Sequence, residues 1–396
     1  MFQPLSPRTL RDLVAIRRDL HRHPELRFEE FRTAGIVAAR LRASGFDVRE
    51  AVAGTGVVAT RGEGGPHILI RADMDALPTM DLKDVEYRSQ VEGVCHACGH
   101  DVHVTVVLGV AEQLAATSGL PGQVTVVFQP AEEIPFGQAS GGAAMVEAGV
   151  LRDVDVVLGL HCWPWLPAGI VGVDERVAMA SKSAFKISVN GVGAHAAAPD
   201  EGRDAIVAAS HIVTSLHQLL SRETRPGQRA TINVGTINGG RSQSIVPASA
   251  ELTGTIRSAE PELGARLRTA VERVVAGVST LGGVEASVDW KNHMPPVIND
   301  ARLVRRAMDV LERMPSTEPR LVNDPPMTAD DFALYAEQRP GLYIKLGVAS
   351  LDGSVGARPL HNSCFDIDEH AIAVGVAALV ALATDLLEHP LEATDD

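Results

Sequence analysis

The chain has 396 residues, 45% hydrophobic, 22% charged and 4% aromatic, a globular composition that is too long for one ordinary core and fits two domains best. Thirty-six basic against fifty acidic residues leave a formal charge of −14, which argues against nucleic acid or an acidic membrane surface as the main partner, because both are themselves negative. Charged side chains from Arg8 to Asp19 interrupt any apolar signal core, and the four cysteines lie near histidines, which favours ligand or reduced-thiol roles over disulfides. A cytoplasmic protein is the expectation.

From the N-terminus, Ser6-Pro7 reads as an N-cap followed by Pro at the first helical position. Leu10, Leu13, Val14 and Leu20 then keep near-helical spacing up to the His21-Arg-His-Pro24 break. A second helix is expected over about 29–44, ending at Gly45. Short apolar, β-branched strands recur at 67–72, 124–129, 156–160 and 342–348, with a helix at 102–117 between the first two. This alternation predicts a mostly parallel sheet with helices on both faces. After about Met179 the order becomes strand 183–190, helix 204–221, strands 230–237 and 248–258, helix 261–281 and strand 284–290, the βαββαβ pattern of a ferredoxin-like domain. The expected organisation is therefore a catalytic domain of residues 1–179 and 291–396 with a lid domain, 180–290, inserted into it. The loop 238–244 lacks the Lys-Ser/Thr ending of a phosphate loop. The apolar run 371–383 is too short to cross a bilayer and reads as part of a buried helix, 366–387.

The densest chemistry lies in residues 93–103, where two cysteines, three histidines and an aspartate share eleven positions. Ligands of open parallel sheets collect beyond the carboxyl ends of the strands. Asp73 and Asp75 follow strand 67–72, Glu132 and Glu133 follow 124–129, and His161 follows 156–160. Cys98 and His100 precede a helix that Asp101 is expected to cap, and His361 lies in the loop after 342–348. One thiolate, three imidazoles and several carboxylates exceed what one zinc requires, which points to a two-metal hydrolase. Neighbouring side chains in extended backbone point opposite ways, so one of Glu132 and Glu133 can bind metal while the other activates water.

These residues resemble the M20 metallopeptidases, in particular the amidohydrolase branch that includes aminoacylases, hippurate hydrolases and auxin-conjugate hydrolases. The likeness spans nearly the whole chain. It rests on Asp19-Leu-His-Arg-His-Pro-Glu-Leu26, Arg71-Ala-Asp-Met-Asp-Ala-Leu-Pro78, Cys98-Gly-His-Asp-Val-His103, Gln129-Pro-Ala-Glu-Glu133, Gly159-Leu-His161, Gly193-Ala-His-Ala-Ala-Ala-Pro199, and His361 before Phe365-Asp-Ile-Asp-Glu369. The resemblance implies that Cys98, His100, Glu133, His161 and His361 ligate two divalent metals and that Glu132 is the general base. It gives Asp75 the role of orienting a ligand or the metal pair. Asp73 stands where peptidase relatives carry a ligand histidine. His195, on the lid, would polarise the scissile carbonyl or bind the oxyanion, across a dimer, and Asn233 and Arg257 would contact a substrate carboxylate. The metals are zinc, manganese, cobalt or nickel, since all tolerate mixed donors.

The sequence departs from the family pattern at Ile134-Pro-Phe-Gly-Gln-Ala-Ser140, at Asp330, where relatives carry Glu, and at Ser363, where a proline is common. Tyr335 and Met327 are candidates for an acyl pocket. Blander readings stand beside these. Cys95-x-x-Cys98 could be a redox pair, although Cys95 reads better as a packing residue; Cys162 and Cys364 read as inert thiols. His21 and His23 are expected to satisfy backbone carbonyls, and His103 to form the site wall. The expected reaction cleaves an N-acyl amino acid or similar small amide, with a water between the metals giving its proton to Glu132 and attacking a carbonyl polarised by metal and His195. A dipeptidase or exopeptidase is the close competitor; a metal-bearing binding protein without catalysis and a zinc-stabilised structural protein are the others. Exposed lid strand edges favour a homodimer.

Overall fold

In a computed structural model describing residues 5–392 apart from 118, 136, 316, 354, 356 and 357, the Ser6 hydroxyl accepts from the Thr9 N–H at 3.1 Å and starts the first helix. The chain runs α1 (Pro7–Arg22), α2 (Phe31–Ala43), β1 (Asp47–Val52), β2 (Gly56–Gly62), β3 (His67–Asp73), α3 (His100–Ala116), β4 (Gln123–Gln129), α4 (Gly141–Glu147), β5 (Val156–Pro167), β6 (Ile170–Asp174) and β7 (Val177–Met179). It continues through β8 (Ser181–Asn190), β9 (Ala194–His195), α5 (Ala205–Glu223), β10 (Ala230–Gly239), β11 (Ile245–Val246), β12 (Ser249–Ser258), α6 (Pro261–Gly282) and β13 (Glu285–Met294). It finishes with β14 (Val297–Ile298), α7 (Ala301–Glu312), β15 (Glu318–Val322), α8 (Ala333–Ala336), β16 (Gly341–Ala349) and α9 (His370–Glu388).

Eight strands form the main sheet in the order β1-β2-β4-β3-β5-β16-β6-β15. Its centre, β4-β3-β5-β16, is parallel, β6 and β15 pair parallel at one edge, and β1, β2 and the β16–β6 junction are antiparallel. Every residue of β3 is buried, as are Val124 to Gln129 of β4, which is why these strands read as continuous apolar runs and not as alternating ones. One face carries α1, α2, α3, α7 and α9 over a core containing Leu13, Val106, Leu158 and Leu346. The short α4 and α8 help cover the other face around Phe332, Tyr335 and Tyr343. By length and composition α9 could cross a membrane, yet most of it is buried in this core. It starts at His370 and not at 366: Asp366 accepts the Ile367 N–H ahead of it, and Asp368 accepts the N–H of His370, its first residue.

The second sheet is antiparallel, in the order β10-β12-β8-β13. It packs α5 and α6 on one face around its own core of Phe185, Ile187, Leu216, Leu252, Leu267 and Val271. The opposite face of β8, β12 and β13 turns toward the carboxyl end of the main sheet, where Lys182, Arg257 and Met294 line a cleft shared with Cys98 and Glu132.

Candidate metal centre

The chain leaves β3, passes through α3 to β4 on one side, and later returns as β5 on the other side of β3. The carboxyl end of β3 is thus a topological switch point, where connections diverge and leave a crevice. β5 pairs with β3 only as far as Gly159 but with β16 as far as Pro167. His161 therefore lies inside a twelve-residue strand and not after a five-residue one, with its β3 side open toward Cys98 and His100. Gly99 begins α3 in a left-handed conformation (φ 86°), and a Cβ there would sit 3.0 Å from Cys162 Sγ. Glycine meets both demands and sets Cys98 and His100 on either side of the turn. Two non-glycine residues also hold left-handed backbone at the site. Ala131 (φ 50°) precedes the two glutamates and is pinned by Glu30 Oε1 at 2.9 Å and by the Gly141 N–H at 2.9 Å, while His361 (φ 66°) is tied by its N–H to Ala97 O at 2.8 Å. Strain of this kind persists where surrounding bonds over-determine it.

The donors converge. Cys98 Sγ lies 3.5 Å from His161 Nε2, and His361 Nε2 lies 2.8 Å from Glu133 Oε1. Three overlapping sets, Cys98–His100–His161, Cys98–Glu133–His361 and His100–Glu132–Glu133, each place their ligand atoms within 4.8 Å of one another. The ring orientations are fixed from behind, as metal-binding histidines require. His100 Nδ1 donates to Asp75 O at 2.8 Å and His161 Nδ1 donates to Cys162 O at 2.8 Å, which leaves both Nε2 atoms aimed at the cluster. Asp75 accepts the N–H groups of Glu132 and Glu133 at 3.0 and 2.9 Å, one on each carboxylate oxygen. It fixes both glutamates without entering the cleft. His103 Nε2 accepts the Cys162 N–H at 2.9 Å and Nδ1 donates to Asp73 at 2.6 Å, so neither nitrogen is available to a cation. Asp73 in turn pairs with Arg71 at 2.7 Å.

The electrostatics of the bare cluster call for cations. His100 Nε2 is buried without a hydrogen-bond partner among the described residues. Burial, then Glu133, push the Glu132 carboxyl well above its ordinary value, and burial with Glu133 and Glu132 lifts the Cys98 thiol in the same way. Burial opposes protonation of His100, but Asp73 and Asp75 outweigh it and raise its pKa to about 10. Burial and His103 lower that of His161 to about 4. One thiol, three imidazoles and two crowded carboxyls suit two borderline divalent ions, with Cys98 common to two of the donor sets.

The cleft above the cluster encloses about 290 Å³ and is lined by Glu132, Ile134, Trp165, Lys182, Arg257 and Leu360 among others. The structure brings Cys98, His100, Glu132, Glu133, His161, His361 and Asp75 together and sets Arg257 in the cleft wall, where its guanidinium donates to Met327 O at 2.9 Å. His195 and Asn233 are not brought there. Both are exposed on the second unit, and neither lines the cleft. The sequence does not single out Trp165 or Lys182, since each shares its strand with a second residue of the same type, Trp163 and Lys186, and nothing local tells which of the two faces the cleft.

Several expectations are corrected. Tyr335 is fully buried and donates to Gln129 Oε1 at 3.0 Å, and Met327 offers only its carbonyl, so neither lines the cleft. Asp101 does not cap α3; as the second helical residue it pairs with Arg17 at 2.9 Å and His21 at 2.7 Å. His21 therefore bonds carboxylates and not backbone carbonyls, whereas His23 does bond Asp19 O at 2.9 Å. Asp330 bonds the Tyr343 hydroxyl and lies 3.3 Å from Arg71, and all four cysteines are free thiols. In the segment 134–140, Phe136 lies outside the described residues, Ile134 lines the cleft, Gly137 and Gln138 bond Asn292, and Ser140 caps α4.

Residues 69–385 match the model of peptidase family M20/M25/M40. The chain is 36% identical over 382 residues to an IAA-amino acid hydrolase of Arabidopsis thaliana, covering 95% of this chain and 86% of the relative. It is 35% identical over 380 residues to an N-acetylcysteine deacetylase of Bacillus subtilis, covering 95% and 97%. A solved Bacillus subtilis structure, described as a dinuclear metal-binding peptidase of the M20 family, superposes with a TM-score of 0.83 at 32% identity, covering 97% of this chain and 99% of that one.

Proposed function

This chain belongs to peptidase family M20/M25/M40, a family of hydrolases, and from that membership we propose that it is a two-metal amidohydrolase cleaving an N-acyl amino acid into a carboxylate and a free amino acid. The observation carrying the reading is the convergence of Cys98, His100, Glu133, His161 and His361 beside one further carboxyl, Glu132, at the floor of a cleft. Two divalent cations on those five side chains would supply Lewis acidity, polarising the amide carbonyl and acidifying water. Glu132 handles the proton, taking it from the attacking water and returning it to the leaving nitrogen. Its backbone is held by Asp75, whose two oxygens accept from both glutamates; Glu133 would then help hold the cations and Glu132 be left to the proton. Arg257, a planar fork in the cleft wall, suits the carboxylate of the amino acid product.

The inserted unit, expected over 180–290 and running from the start of β8 to the end of β13, residues 181–294, acts as a lid that closes over the cleft and excludes bulk water. His195 and Asn233, exposed on that lid and remote from their own cleft, are assigned to the cleft of a second copy in a homodimer. The test is a mass-spectrometric screen of acetyl- and benzoyl-amino acids beside dipeptides with the metal-reconstituted full chain. Release of free amino acid from the acyl substrates, abolished by chelation and restored by metal, is the expected result. Preferential cleavage of dipeptides replaces the reading with a peptidase, and binding without product replaces it with a silent metalloprotein.

A further inference from the structure

The chain contains five lysines. Lys83 pairs with Asp81 at 2.9 Å, Lys291 with Asp289 at 2.8 Å, Lys345 with Asp174 at 2.7 Å, and Lys186 with Glu251 at 2.5 Å. Lys182 alone has neither carboxylate nor hydrogen-bond partner among the described residues, although it is half-buried in the wall of the cleft. A cation taken out of water is ordinarily paired. Here no ion-pairing group stands within reach among the described residues.

Lys182 on β8 stands directly opposite Arg257 on β12 in the antiparallel register. Directly opposed residues on one face of a sheet have Cβ atoms roughly 5 Å apart, and both of these line the same cleft. Across it lie Glu132, Glu133 and Asp330. Glu133 is assigned to cations and Glu132 to proton transfer, while Asp330 is engaged by the Tyr343 hydroxyl and Arg71. With those three engaged, no anion among the described lining residues is left to answer two adjacent cations on the lid wall. Burial and then Arg257 pull the Lys182 pKa down against an opposing pull from Glu132 and Glu133 across the cleft, as expected for an ammonium crowded by another cation and not ion-paired.

We propose that Lys182 selects N-acyl derivatives of acidic amino acids, taking the side-chain carboxylate of aspartate or glutamate while Arg257 takes the α-carboxylate. The two carboxylates of these amino acids are separated by only a few bonds, which suits two cations on neighbouring strands. The apolar remainder of the wall, Ile134, Trp165, Met179, Met294 and Leu360, is left for the acyl group. This inference rests on the amidohydrolase reading above and makes Lys182 a specificity-determining residue, not a catalytic one.

The test compares kcat/KM of the metal-reconstituted chain for N-acetylglutamate and N-acetylaspartate against the near-isosteric N-acetylglutamine and N-acetylasparagine. A hydrogen bond to a charged group supports about a 10- to 100-fold preference for the acids. Lys182→Met should remove most of that preference, chiefly through KM, and leave the amide substrates within about threefold, with Lys182→Arg restoring it. Thermal unfolding of each variant separates misfolding from lost recognition. Equal rates on acids and amides in the wild type, or equal losses on both in Lys182→Met, overturn the inference while leaving the amidohydrolase reading intact. Should no N-acyl amino acid be hydrolysed, that reading fails, and the inference is still decided by calorimetric binding to metal-loaded Glu132→Gln. There, tighter N-acetylglutamate than N-acetylglutamine binding supports it, and equal binding overturns it.

Discussion

His21, Asp81 and Cys95 come within 4.8 Å of one another, and so do Cys98, His100 and His161. Both triads are buried and both draw on residues 95–100, so by residue type each is a candidate for a cation. Folding gives them opposite characters. Around Cys95, Lys83 pairs with Asp81 at 2.9 Å, Arg17 with Asp101 and with Asp366 at 2.9 Å each, and His21 has both ring nitrogens engaged by carboxylates. Burial raises the Cys95 thiol pKa to about 12. Around Cys98, among the described residues, no lysine or arginine pairs with Glu132 or Glu133, and His100 Nε2 has no hydrogen-bond partner, with Asp73 Oδ2 3.7 Å away. Donor type and spacing are therefore insufficient to define a metal site. What separates the two is lysine and arginine: they make the first cluster a closed ionic core, whereas the second holds only histidines against its carboxylates among the described residues and is the one we assign to cations.

The comparison can be broken most sharply at Glu132. Glu132→Gln should lower kcat on a cleaved N-acyl amino acid by about 10²- to 10⁴-fold, the range for removal of a general base, whereas Cys95→Ala should stay within a few-fold. Steady-state kinetics on both variants check this, and a Glu132→Gln enzyme near wild-type rates would remove it as the base. Arg17→Met should destabilise the fold by about 3–5 kcal/mol, because it strands Asp101 and Asp366 in the interior. Denaturant unfolding measures that, and metal content should not change. If metal is lost and stability retained, the roles of the two clusters are reversed.

The smallest effect is one of pH. Burial opposes ionisation of Asp81, but His21, the Ser89 N–H and Lys83 outweigh it and hold its carboxyl well below the ordinary carboxylate range. The unfolded chain therefore binds a proton near pH 4 that the folded one refuses. The stability this group contributes is fully present above pH 4 and is lost as pH falls below it. The unfolding free energy of Asp81→Asn should decline less steeply than that of the wild type below about pH 4; parallel acid limbs would contradict the ion-paired state of Asp81.

The central strands and the inserted βαββαβ segment were legible because burial leaves continuous apolar runs in parallel strands and alternation in the second sheet. β1 and β2 were not, since β1 is an edge strand with only polar and half-buried positions and no period to read. The convergence of Cys98, His100, Glu133, His161 and His361 followed from motifs at strand ends. Which neighbours would be neutralised did not follow, because Arg17 meets Asp366 across 349 residues and no local pattern announces such a partner. Lys182 was invisible for the same reason. Its meaning lies in the residue across the strand and in the lack of an ion-paired carboxylate among the described residues.

Metal analysis by inductively coupled plasma mass spectrometry on the wild type, Cys98→Ala and Cys95→Ala, purified alike, tests the account most directly. About two divalent ions per chain are expected in the wild type and in Cys95→Ala, and fewer than about one in Cys98→Ala, since Cys98, like His100 and Glu133, belongs to two of the ligand sets. Undiminished metal in Cys98→Ala, or equal loss in both cysteine variants, would contradict it.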